Sequence, residues 1–156
     1  MRVRAEDQRA VTRAGGGETG GERVCHPAQY SFAMAAGLPD PEAFASKWAD
    51  EWNSRDLDAI LRHYSPDVVF SSPVAAQLLP DSGGTVRGID ALRDYWSKGL
   101  AAYPTLHFEV LEVFAGTDTL VIRYGTDHGD VRAEILTFAD GVIVEGRGTY
   151  GYAFEG

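Results

Sequence analysis

The chain has 156 residues, 44% hydrophobic and 24% charged, with a formal net charge of −9. That is one domain's length with enough apolar residues for a core, and the acidity argues against nucleic acid or an anionic membrane as the main partner. Cys25 is the single cysteine, so no intrachain disulfide can form; with no apolar run of spanning length and no signal-like N-terminus, the cytoplasm is the expected compartment.

Residues 1–38 read as a flexible N-terminal extension and residues 39–156 as the folded domain. The stretch "TRAGGGETGGER" is glycine-rich and nearly free of large apolar side chains, a composition that cannot build a core. Cys25 reads as an inert thiol there, and Met34, just ahead of the body, is a candidate internal translation start.

In "LPDPEAFASKWADEWNSRD", Asp40 can cap a helix, Pro41 suits its first position and Glu42 suits the positive end of its dipole. Phe44, Trp48 and Trp52 recur every four residues and form one apolar face. A second helix follows in "RDLDAILRHYSP", capped by Asp56, with Leu57, Ile60, Leu61 and Tyr64 as its stripe and Pro66 as its stop. "DVVFSS" reads as a short strand and "QLLPDSGGT" as a loop. The third helix is "GIDALRDYWSKGLAAY", with Ile89, Leu92, Trp96 and Leu100 inward and Tyr95 turned away from Trp96.

Beyond Pro104 the period changes to two. "TLHFEVLEVFAG", "DTLVIRYGTD", "DVRAEILTFADG" and "VIVEGRGTYGYAF" read as four strands joined by turns at Gly116–Asp118, His128–Gly129 and Asp140–Gly141. Three helices followed by a strand meander make an α+β fold, a curved antiparallel sheet with the helices covering one face. Strand alternation puts Arg132, Glu134, Leu136 and Phe138 on one face, and Val142, Val144, Gly146, Gly148 and Tyr150 on one face of the last strand. Two glycines on that face signal either a wide cavity or close packing of Trp48 and Trp52.

The segments "WNSRDLDAILRHYSPDVVFSSPVA" and "GTVRGIDALRDYWSKGL", followed by the strands ending "FADGVIVEGRGTYG", resemble the nuclear transport factor 2-like superfamily, in its SnoaL-like and ketosteroid-isomerase-like branches. The resemblance spans about Pro41 to Tyr152 and rests on the order and spacing of the pieces. It implies a cone-shaped α+β barrel, a pocket between helices and concave sheet, and a homodimer through the outer sheet face. It also implies that Trp48 stands where the isomerases keep a tyrosine, Ser72 where they keep the general-base aspartate, and Glu134 near their protonated aspartic acid. A serine without its own base cannot abstract a proton from carbon, and an indole lacks the acidity of a phenol. Steroid-type isomerisation is therefore not expected.

Glu134 is the candidate catalytic group, an acid or base beside Leu136 and Phe138, against the plainer reading of an outward carboxylate paired with Arg132 or Arg147. Candidate binding residues are Trp48, Trp52, Tyr64, Ser72, Arg87, Phe138 and Tyr150, with His63 as a further candidate at the end of the second helix. "TDHGD", Thr126–Asp130, holds metal-capable side chains but reads as a hairpin turn. No metal site is expected, and with no phosphate loop or zinc pattern no cofactor is expected either. Two functional readings stand. One is a pocket protein for a small apolar, oxygenated, polyketide-like molecule, acting as a cofactor-independent isomerase, lyase or hydrolase. The other is a non-catalytic binding or dimerisation module of the same fold.

Overall fold

The computed structural model describes residues 37–153. The expected extension, with Cys25, His26 and Met34, lies outside the described residues, save for Gly37 and Leu38. Within them the first helix, α1 (Pro41–Asn53), starts where Asp40 accepts a hydrogen bond from the Ala43 amide at 2.9 Å, with proline in the first turn. Phe44, Trp48 and Trp52 are buried along it. Asn53, at its end, both donates to the Phe108 carbonyl at 2.9 Å and accepts from the Phe108 amide at 2.8 Å, which ties the helix to the start of the sheet.

Helix α2 (Leu57–Leu61) is one turn long, and Asp56 caps it. It stops before the expected Tyr64 because the following chain is drawn into the sheet: the Ile143 amide donates to the His63 carbonyl at 2.8 Å. Strand β1 therefore begins at Tyr64 and runs to Ser71. Pro66 lies inside it, exposed, where the ladder changes register between Tyr64 and Val69. Such irregular positions tolerate a residue without an N–H. After β1 come helix α3 (Pro73–Leu78), whose end enters the loop expected over 77–85, a 3-10 turn within that loop at Pro80–Ser82, and strand β2 (Thr85–Arg87), which begins at its last residue. Helix α4 covers Ile89–Ala102.

The meander forms as expected: β3 (Phe108–Ala115), β4 (Thr119–Thr126), β5 (Val131–Ala139) and β6 (Val142–Tyr150). Asp140 and Gly141 both have positive φ, 52° and 80°, as a two-residue hairpin turn requires. The six strands lie in the order β2-β1-β6-β5-β4-β3. The sheet is mixed, not wholly antiparallel: β1 runs parallel to β6, because helices and the whole meander intervene between them in the chain.

A bulge also corrects the face assignment on β6. The register shifts opposite Thr137/Phe138, so Ile143 points inward and is fully buried, followed by Gly146, Gly148 and Tyr150 on the same side. An extra residue in one strand flips the alternation beyond it. The core between helices and sheet is strongly aromatic. Trp48 stacks on Phe108 with centroids 5.4 Å apart, Trp52 meets Trp96 edge-on at 5.0 Å, and Phe70 meets Trp96 at 5.4 Å. Among the described residues no helix is long and apolar enough to cross a membrane.

Candidate functional site

Between α1, α4 and the inner sheet face lies a cavity of about 80 Å³. Helix α1 contributes Trp48 and Trp52, and helix α4 contributes Tyr95, Trp96, Gly99 and Leu100. Strand β1 brings Phe70 and Ser72 at its exit, β4 brings Tyr124, β5 brings Arg132 and Glu134, and β6 brings Gly148 and Tyr150. All three tryptophans of the chain line it.

Glu134 stands opposite Gly148 in the β5–β6 ladder and opposite Ile122 in the β4–β5 ladder. Its side chain is buried, and none of the described residues donates a hydrogen bond to its carboxyl. Burial pushes its pKa up from 4.5 to about 8, with the Arg132 charge pulling the other way. At neutral pH it is therefore mainly a carboxylic acid able to donate. Gly148 leaves the space in front of it open: a Cβ there would lie 3.5 Å from Glu134 Oε2 and 3.4 Å from Ser72 Oγ.

Ser72 faces inward, as the pleat of β1 dictates, but its hydroxyl already has a task. It caps α3, accepting from the Val74 amide at 3.1 Å. Its nearness also offsets part of the rise that burial gives the Tyr95 and Tyr150 phenols; Tyr95 is pushed up to about 12. The Tyr124 phenol is likewise held up, chiefly by burial and then by Glu134. The phenols of Tyr95, Tyr124 and Tyr150 are thus neutral near neutral pH and able to donate.

Arg132 is the cation of the site. Its Nε donates to Asp130 at 2.5 Å, and its guanidinium lies 4.6 Å from the centre of the Tyr150 ring. Burial alone would lower its pKa, but Asp130 and the neighbouring phenols hold it up. The rim is set from a distance. Arg55, in a left-handed conformation with φ 60°, donates to the carbonyls of Leu100 at 3.0 Å and Tyr103 at 2.8 Å, and to that of Pro104. It thereby holds the α4–β3 connection, whose Tyr103 and Leu106 border the cavity.

Of the residues singled out in the sequence, Trp48, Trp52, Ser72, Glu134 and Tyr150 come together at this cavity. Four others do not. Arg87 is exposed on β2, away from the lining, because that short strand adds to the outer edge of the sheet beyond β1. Tyr64, as a strand residue, is buried edge-on against Trp96 at 5.1 Å and does not reach the cavity; its hydroxyl has no hydrogen-bond partner. Phe138 lies further down β5 and packs edge-on to Phe44 at 5.5 Å. His63 is held by Glu51 through a 2.7 Å bond from its Nε2, and with Phe44 and Phe138 it lines a separate open cleft of about 310 Å³ beside Pro39 and Asp40.

Tyr95, Tyr124 and Arg132 are the lining residues that sequence reasoning missed as site groups. Tyr95 and Trp96 are both buried because neighbouring helical positions are 100° apart, within the width of one apolar face. Arg132 shares the face of Glu134, a signal the alternation already carried, but its partner is Asp130. The "TDHGD" hairpin is internally satisfied: Asp127 accepts from the His107 amide at 3.1 Å, and Asp130 accepts from Thr126 and Arg132. Among the described residues no cluster of His, Cys, Asp and Glu is placed to hold a metal ion.

A helical cover over a mixed, mostly antiparallel sheet is the architecture of the solved structures that this chain resembles. Residues 45–146 match the model of the SnoaL-like domain. The chain belongs to the SnoaL-like family. A SnoaL-like protein of unknown function from Burkholderia thailandensis is 33% identical, with 72% of this chain and 100% of that one covered and a TM-score of 0.67. A protein from Sinorhizobium meliloti described as a candidate polyketide cyclase is 20% identical, with coverage of 72% and 95% and a TM-score of 0.57. TerC, crystallised with polyporic acid, is 17% identical, with coverage of 72% and 92% and a TM-score of 0.60. The last two share the fold with this SnoaL-like chain. None of the curated proteins matches it.

Proposed function

We propose that this SnoaL-like chain binds a small, largely apolar, oxygenated molecule of polyketide-like character and that Glu134 donates a proton to it. The observation that carries the reading is a buried carboxyl group, unpartnered among the described residues, that lines a cavity. Leaving such a group without a hydrogen bond costs stability, and groups tuned in this way concentrate at functional sites. The described phenols, indoles and Phe70 suit a flat ring. Glu134 acts as a general acid below about pH 8 and as a base above it. A cavity of about 80 Å³ is small beside the few hundred of most ligand sites. It therefore takes one ring end of the molecule, the remainder passing the rim at Tyr103 and Leu106.

The test is a panel of aromatic and polyketide-like metabolites screened by tryptophan fluorescence and product analysis with the wild-type chain and Glu134→Gln. Turnover of a hit by the wild type that is lost in the variant, with its melting temperature preserved, supports the reading. Unchanged turnover sinks it.

A second reading, a non-catalytic binding or dimerisation module, draws on the capping task of Ser72 and on the exposed apolar outer face. Leu111 and Phe114 on β3 are 42% and 56% exposed. A homodimer through that face is part of both readings, and equilibrium sedimentation tests it.

A further inference from the structure

We infer that the cavity selects ligands bearing an anionic planar oxygen group, a carboxylate or an enolate, through the guanidinium of Arg132. This rests on the reading of the cavity as a ligand site and names the class of molecule that enters it.

The argument is one of donors and acceptors. Arg132 has five N–H donors, and only Nε is engaged within the described residues, by Asp130 at 2.5 Å. The two terminal nitrogens remain, on a side chain that lines the cavity and is only 18% exposed. Asp130 and the Tyr150 ring hold the guanidinium plane from two sides, so its orientation is set before any ligand arrives. A fixed fork with two parallel N–H groups matches a carboxylate or a vinylogous carboxylate better than a single carbonyl.

The rest of the lining agrees with this. The rings of Trp48 and Trp52 wall the cavity, with their indole nitrogens buried away from it. Tyr95, Tyr124 and Tyr150 add phenolic donors. Ser72 Oγ accepts from the Val74 amide, which uses one of its two lone pairs. Two groups oppose an anion: Asp130, an ionised carboxylate that offsets part of the guanidinium charge, and Glu134, whose proton removes its opposition while adding another donor. A lining whose guanidinium and phenolic hydroxyls can all donate suits an electron-rich oxygen group better than an amine.

Benzoate and benzamide are a matched pair for the test, being planar, of equal size, and different in charge. Their binding to the full chain at about pH 6.5, where Glu134 holds its proton, is followed by tryptophan fluorescence and by saturation transfer from protein to probe. Benzoate should bind about tenfold more tightly than benzamide, as a bidentate charged contact implies. Arg132→Gln should remove that preference and leave benzamide within about twofold, whereas Arg132→Lys should keep a part of it. Equal binding of the two probes to the wild type, or a preference that survives in Arg132→Gln, overturns the inference and leaves the ligand-site reading standing. Failure of both probes to bind overturns the two together. The wild-type comparison decides the matter even if the variants fold poorly, which their melting temperatures report.

Discussion

Replacing Glu134 by glutamine should flatten the pH dependence of stability in a defined window. The folded chain raises this carboxyl from 4.5 to about 8 because burial penalises the anion. Below about pH 4.5 both folded and unfolded chains hold the proton and the group contributes no pH-dependent term. As the pH rises, the unfolded chain releases it first, so stability falls through the window and the full cost is reached above about pH 8. At about 1.36 kcal/mol for each tenfold preference, the whole window amounts to about 5 kcal/mol as an upper figure. Relaxation and water entry around the anion reduce this, and about 2 kcal/mol is the least that the reasoning requires. Urea denaturation of both chains at about pH 5 and about pH 8.5 measures it. The wild type should lose that amount relative to Glu134→Gln on going from the lower to the higher pH. The buried amide of the variant is the same at both values and cancels in the comparison, as do the other titrating groups. Parallel losses in the two proteins would refute a buried, unpartnered Glu134 and with it the proton-donor role.

Other substitutions separate the scaffold from the site. A Cβ at Gly146 would meet Phe70 Cδ2 at 2.6 Å, so Gly146→Ala should destabilise by about 1–3 kcal/mol in chemical denaturation. At Gly148 the contacts are 3.4 and 3.5 Å, to Ser72 and Glu134; Gly148→Ala should fold with little loss but weaken benzoate binding several-fold, as a fluorescence titration would show. Asn53→Ala removes a pair of hydrogen bonds to the Phe108 backbone and should cost about 2–3 kcal/mol. Ser72→Ala should cost about 1 kcal/mol through the lost cap of α3, whereas Ser72→Thr keeps a capping hydroxyl without adding charge; equal melting temperatures for these two variants would show that the cap carries no weight.

Local chemistry made much of the fold legible in the sequence. Asp40 and Pro41 mark the start of α1, the four-residue spacing of Phe44, Trp48 and Trp52 marks its buried face, and Asp140–Gly141 marks the last hairpin. These signals depend on neighbours within a few residues, so they survive reading without a structure. Alternation put Glu134 on one face with Arg132, and the family resemblance, not the alternation, marked that face as the concave one.

What the tertiary structure alone decided depends on partners distant in the chain. Tyr64 joins a strand because Ile143, some eighty residues later, takes the His63 carbonyl, and the same pairing makes the sheet mixed. A bulge on β6 reverses the face of Ile143, which no count of alternating residues could register. Arg87 reads as a binding residue until β2 is seen to pair on the far edge of β1, and the alternation that puts Arg132 on the face of Glu134 does not reveal that Asp130 and Tyr150 hold it at the cavity. The amino-acid sequence by itself determined which side chains are apolar, which can cap and which can carry a proton. The long-range pairing of strands determined which of those that can bind or donate share one cavity, because sheet register is settled by contacts between segments and not within them.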